Sequence, residues 1–222
     1  MSDLLCEDFY LLSINRENGE HLHSYVYGGI VLAGLFDLHR SNDIQIEEEK
    51  IYLLRNVDYP HSFLQKLMNH LNLMPNGYKM QDYIQNILFD KRELKKQLEN
   101  ELLMKGTMEK KQKKLLSFFT YEYIKIVKIE RIERLKEQIR HRVLNNEQED
   151  SYLDSLILLI SICKMEELIF SIGELQLAKE KIKMILKEQN RLKSIPIQTI
   201  DSPTILTYID AGCDTGDGGG CD

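Results

Sequence analysis

Apolar residues recur at helical spacing over most of the chain. Met80, Tyr83, Ile84, Ile87 and Leu88 fall at i, i+3, i+4, i+7 and i+8, and Leu94, Leu98 and Leu102 continue the stripe until Gly106 stops it. The spacing predicts two helices joined near Phe89-Asp90. Leu153, Leu156, Ile157 and Ile160 repeat the pattern in a stretch that stays apolar through Cys163, which predicts a central helix covered on several sides. Leu175, Ala178, Ile182 and Ile185 form the apolar face of a last amphipathic helix, with Lys179, Lys181 and Lys187 among its polar positions.

Two stretches follow a different period. Ile44 to Glu47 and Lys50 to Leu53 alternate over short runs and predict a small hairpin. From Met108 to Val127, Phe119, Tyr121 and Tyr123 alternate with Thr120 and Glu122, and Ile124 and Ile126 then fall on the opposite face. A hairpin with apolar residues on both faces needs a cover. The expected fold class is therefore mainly α, a single-domain helical bundle with one or two small β-hairpins over residues 1–194. Five of the 12 glycines lie between Gly212 and Gly220, and Pro196 and Pro203 stand just upstream, so residues 195–222 read as a flexible Gly/Asp/Cys tail.

Composition supports a globular chain: 222 residues, 43% hydrophobic and 29% charged. The apolar run Leu156 to Ile160 is far shorter than the ~20 residues that span a bilayer, and no cationic segment precedes an apolar one at Met1 to Glu7. Neither a transmembrane helix nor a secretory signal is expected. Cys6, Cys163, Cys213 and Cys221 are too scattered for a disulfide framework, which points to reducing cytoplasm.

The net charge of −6 conceals a strong asymmetry. Residues 91–145 carry 16 Lys and Arg against 8 Asp and Glu, which leaves 13 against 27 for the rest. Such a block is the footprint of a phosphate-bearing surface, membrane or nucleic acid, or else a solvated helical face. Arg92, Lys95 and Lys96 lie at i, i+3 and i+4, so one helical face presents three cations, with Lys91 beside them. Past Gly106 comes Lys110-Lys111-Gln112-Lys113-Lys114, followed at once by Leu115, Leu116, Phe118 and Phe119. Cations next to large apolar side chains suit a bilayer surface, where each Lys or Arg contributes about 1 kcal/mol near anionic headgroups. The competing arrangement is a hairpin packed on its own domain or on another subunit.

Several segments in order carry a family resemblance. Leu4-Leu5-Cys6-Glu7-Asp8-Phe9-Tyr10-Leu11-Leu12 runs into the polar Asn15 to Glu20; Gly29 to Leu38 and Ile44-Gln45-Ile46 follow; Leu94 to Leu98, Leu102 to Gly106 and the Leu115 to Phe119 hairpin come later. Over roughly residues 1–190 this order resembles the Golgi phosphoprotein 3 family of peripheral membrane proteins. The resemblance implies a helical adaptor that holds phosphatidylinositol 4-phosphate in a basic pocket and inserts or self-associates through an exposed hairpin. The family's two phosphate-gripping residues fall, by spacing from Lys105-Gly106, on Arg92 and Lys95. Its eukaryotic members also place a tryptophan and an arginine in an earlier helix, where this chain has about Leu22 and Val31; either His21, His23, Tyr25 or Tyr27 compensates, or the chain binds anionic lipid with little headgroup selectivity.

The resulting expectation is a non-enzymatic protein on the cytosolic face of a membrane. Arg92, Lys95, Lys91 and Lys96 would bind lipid phosphate, and Leu115, Leu116, Phe118 and Phe119 would form the membrane or oligomer hairpin. Its partners are an anionic phospholipid or phosphoinositide surface, a second copy through the hairpin, and protein cargo. The alternative is a winged-helix-like nucleic-acid-binding protein, with Lys110 to Lys114 on the wing. So apolar a hairpin argues against a wing, and nucleic acid is not the expected partner. No cofactor or metal is expected. Gly28 to Gly34 lacks the lysine and hydroxyl of a phosphate loop, His21 and His23 have no third ligand nearby, and His39, His61, His70 and His141 form no cluster with cysteines.

Overall fold

The structure is a computed structural model that describes residues 4–14, 26–115, 119–145 and 149–192. Among these are eight α-helices and two small antiparallel sheets. The mainly α expectation holds. Two helices form its centre: α1 (Leu5–Ser13), wholly buried, packs chiefly on α2 (Val26–Arg40). Leu4, which precedes α1, supplies no side-chain cap. Asp37 of α2 does so instead, accepting from Leu5 N at 2.9 Å and Cys6 N at 3.0 Å. A carboxylate from inside the core thus satisfies the orphan amides of a buried helix start.

The α2 glycines allow this approach. A Cβ on Gly29 would lie 2.6 Å from Cys163 Sγ and from Phe9 Cε1, and one on Gly34 would lie 2.5 Å from Leu67 Cδ1. Close helix packing, rather than a phosphate loop, accounts for these residues. Val31 is fully buried in the same helix and belongs to the core. Leu22, His21, His23 and Tyr25 lie outside the described residues.

The first hairpin pairs β1 (Ile44–Glu47) with β2 (Lys50–Leu53) in the expected register, Ile44 opposite Leu53. Its turn residues Glu48 and Glu49 both have positive φ, the conformation that lets a two-residue turn follow the strand twist. A third short strand, β3 (Tyr78–Lys79), joins β2 and was not foreseen. Between them α3 (Ser62–Asn72) buries Phe63, Leu64, Leu67, Met68 and Leu71.

The two helices predicted around Phe89-Asp90 are α4 (Met80–Leu88) and α5 (Lys91–Met104). Gly106, at φ +61°, turns the chain from α5 into β4 (Met108–Leu115), which pairs with β5 (Phe119–Ile126). The α6 helix (Ile129–Leu144) was not anticipated, because its apolar positions are diluted by ten charged or polar neighbours in the basic stretch. Its stripe of Ile132, Leu135, Ile139 and Val143 is buried. The apolar helix α7 (Ser151–Ile162) is buried from Asp154 to Ile160, and α8 (Leu175–Leu192) packs across α6 and α7 with Ala178, Ile182 and Ile185 inward. The tail from 195 to 222 lies outside the described residues.

Candidate functional site

The expected site residues open α5. Leu94, Leu98 and Leu102 turn one face of the helix into the core. With those positions fixed, helical geometry leaves Arg92 and Lys96 exposed and Lys91 and Lys95 half-buried. The four cations therefore share the first turns of one helix, on its solvent side. Anions are favoured there by the helix macrodipole as well as by the side chains. Asp90, which precedes the helix, is taken by Lys66 at 2.8 Å.

Lys95 is restrained. Its Nζ lies 3.7 Å from Glu99 Oε1, one turn later. Glu99 Oε1 in turn accepts from the Tyr10 hydroxyl of α1 at 2.6 Å. Burial, then the adjoining Glu99 carboxylate, push the Tyr10 hydroxyl far above its ordinary titration range, with Tyr27 adding in the same direction. Lys95 is thus linked to the first helix through Glu99 and Tyr10. The i, i+4 spacing of Lys95 and Glu99 is visible in the sequence. The contact with Tyr10, 89 positions away, is not.

The hairpin starts at the other end of α5. From Arg92 to Lys105 the helix rises about 20 Å at 1.5 Å per residue, so the cations of its first turn and the base of the hairpin are separated by that length. Thr107 N donates to Leu102 O, Val127 N to Thr107 O, and Lys128 Nζ to Lys105 O, which locks helix end, hairpin and α6 together. Met108 and Ile126 are buried at this base and Ile124 packs on the core, so the hairpin is rooted in the domain. Further out, Lys110, Lys111 and Gln112 are exposed. Around the root Met104, Val127 and Ile129 are also exposed, an apolar rim that sequence reading did not single out. Leu115 and Phe119 pair as the outermost rung, and Leu116 and Phe118 lie outside the described residues.

The basic stretch is not one continuous surface. Lys105 donates to Glu7 at 2.6 Å, where His61 also bonds at 3.0 Å. Because His61 Nδ1 accepts from Leu64 N, its Nε2 is the donor to Glu7. Burial alone would raise the Glu7 carboxyl, but the His61 and Lys105 hydrogen bonds outweigh it and hold it below its ordinary range. Arg131 and Tyr152 both reach Asp8, the latter at 2.6 Å. Arg142 makes two bonds to buried Asp154, at 2.8 and 3.1 Å. These cations join helices.

Among the described residues no helix is long and apolar enough to cross a membrane, and no group of three potential metal ligands occurs. Cys6 and Cys163 are buried, and desolvation raises both thiols, which leaves them unreactive packing groups. No curated protein matches the chain. A family model described as Golgi phosphoprotein 3 (GPP34) matches residues 5–199, from the first residue of α1 to beyond the end of α8. On that match, which takes in both the α5 cations and the hairpin, the chain belongs to the Golgi phosphoprotein 3 (GPP34) family.

Proposed function

We propose that this protein is a peripheral membrane adaptor. It binds the phosphate of phosphatidylinositol 4-phosphate, or of another anionic phospholipid headgroup, through Arg92 and Lys95 with Lys91 and Lys96 in support. The observation that carries this reading is the cluster of four cations on the solvent side of one helix start, in a helix whose far end leads directly into a lysine-bearing hairpin. A planar partner suits two contacts separated by the length of α5. Lys110 and Lys111 extend the cationic surface outward, and Leu115, Leu116, Phe118 and Phe119 supply apolar groups for the interface or for a second copy of the chain. The protein acts by binding, not by catalysis, on the cytosolic face of a membrane.

Sedimentation with vesicles of graded phosphatidylinositol 4-phosphate and phosphatidylserine content tests the proposal. Reversing both charges in R92E/K95E removes more than about 2 kcal/mol of headgroup attraction, so binding should fall by more than about tenfold at low salt. Unchanged affinity refutes the pocket. Binding of the wild type should also weaken as ionic strength rises, because exposed charges are screened. A duplex DNA competitor should leave vesicle binding intact; displacement by DNA would move the assignment to a nucleic-acid partner.

A further inference from the structure

A site that only grips phosphate has no use for a carboxylate among its cations, yet Glu99 stands one turn from Lys95. It is also held there. Its side chain is 15% exposed, its Oε1 lies 3.7 Å from Lys95 Nζ, and the fully buried Tyr10 donates to that same oxygen at 2.6 Å. Its Oε2 makes no hydrogen bond to the described residues. Tyr10 stays protonated throughout the physiological range, so it fixes the carboxylate rather than neutralising it.

The consequence for a ligand is electrostatic and directional. An anion seated on Lys95 lies within a few ångströms of Glu99, where like charges repel. A bare phosphate meets that repulsion in full. A phosphate whose carrier also has a neighbouring hydroxyl can donate that hydroxyl to Glu99 Oε2, turning the repulsive neighbour into an acceptor, and hydrogen bonds to charged groups are among the stronger ones. A half-buried carboxylate thereby discriminates against a ligand that leaves it unpaired.

We propose that Glu99 is the specificity-determining residue of the α5 site, selecting a phosphomonoester on a polyol with a hydroxyl beside the phosphate over anions that offer no such donor. This rests on the phosphate reading of Arg92 and Lys95 and names the ligand class that reading leaves open. Glu99 does not grip the phosphate. It discriminates among phosphates.

The test compares vesicles carrying phosphatidylinositol 4-phosphate with vesicles carrying phosphatidic acid, matched in surface charge, for the full chain and for E99A, E99Q and R92E/K95E. The wild type prefers the inositol lipid. In E99A the preference should shrink by about tenfold, the worth of one hydrogen bond to a charged group, with phosphatidic acid binding stronger and inositol-lipid binding weaker. E99Q, which keeps an acceptor oxygen without the charge, should strengthen phosphatidic acid binding and retain inositol-lipid binding. Because the readout is a ratio, a partial loss of folded protein cancels. A ratio in E99A within about twofold of wild type, while R92E/K95E still abolishes binding to both vesicles, overturns the role of Glu99 and leaves the phosphate site standing. Binding that R92E/K95E does not reduce overturns the phosphate site and this inference with it.

Discussion

The cations of α6 and those at the start of α5 come from the same basic stretch and meet opposite fates. On α6, Arg131 reaches Asp8, Arg140 reaches Glu174 and Arg142 reaches Asp154, each partner lying outside α6. On α5, Arg92 and Lys96 stand at the surface, and Lys95 lies 3.7 Å from Glu99 on its own helix. Charge density along the sequence is similar in the two places. What separates them is where the fold puts them: the buried Asp8 of α1 and Asp154 of α7, with Glu174 just before α8, claim arginines of α6, whereas Arg92 and Lys96 stay exposed at the start of α5. A run of positive charge is therefore a pool from which the fold draws cations for packing, while those that it leaves exposed stand where a partner can reach them.

The comparison can be broken most severely at Arg142. Asp154 is fully buried, so Arg142→Ala strands a carboxylate in the core and should cost about 3–5 kcal/mol in urea unfolding. Replacing both partners, in R142M/D154L, should recover most of that loss, since a well-packed apolar pair of similar volume substitutes for a buried ion pair. If R142A unfolds like wild type, the claim that α6 cations are structural fails.

Acid tests the pairing between Lys105, His61 and Glu7. The Glu7 carboxyl titrates below its ordinary value of 4.5 when folded, so the unfolded chain takes up its proton first as pH falls. Its contribution is fully present above about pH 5 and is lost as pH drops through the folded value. Asp37 behaves oppositely, since burial raises its carboxyl against the pull of the Cys6 and Leu5 amides. The difference between wild type and Glu7→Gln isolates the effect: the gap in stability should be widest near neutral pH and close toward pH 3. A gap that is independent of pH sinks this account.

The smallest stability change is expected on α5. In R92A/K96A, unfolding free energy should stay within about 0.5 kcal/mol of wild type, as for other exposed positions, while vesicle binding falls. A large destabilisation there would place these residues among the packing cations and erase the contrast with α6.

Much of the frame was legible because it depends on local period. The stripe Met80 to Leu88, the run Leu94 to Leu102 with its stop at Gly106, the alternation of Ile44 to Leu53, and the apolar segment around Leu156 each specify an element and its buried face without knowledge of the rest. The α6 helix escaped because its apolar residues are spaced widely among polar ones, and β3 because two residues carry no period; the α3 stripe of Phe63, Leu64, Leu67, Met68 and Leu71 is regular and was readable from the sequence. At the site, Arg92, Lys95 and Lys96 could be read as one helical face.

The sequence by itself determined which residues lie on the same side of each helix and strand, since side-chain period is a local property of the backbone. Only the tertiary structure decided which charges are consumed: that Asp37 caps α1, that Glu7 gathers His61 and Lys105, that Asp154 takes Arg142, and that Tyr10 anchors Glu99 beside Lys95. Those pairings join positions 12 to 98 residues apart, and partners at such separations are set by how helices pack. Spacing along the chain places a charge on a face; packing determines whether that face meets a carboxylate or solvent.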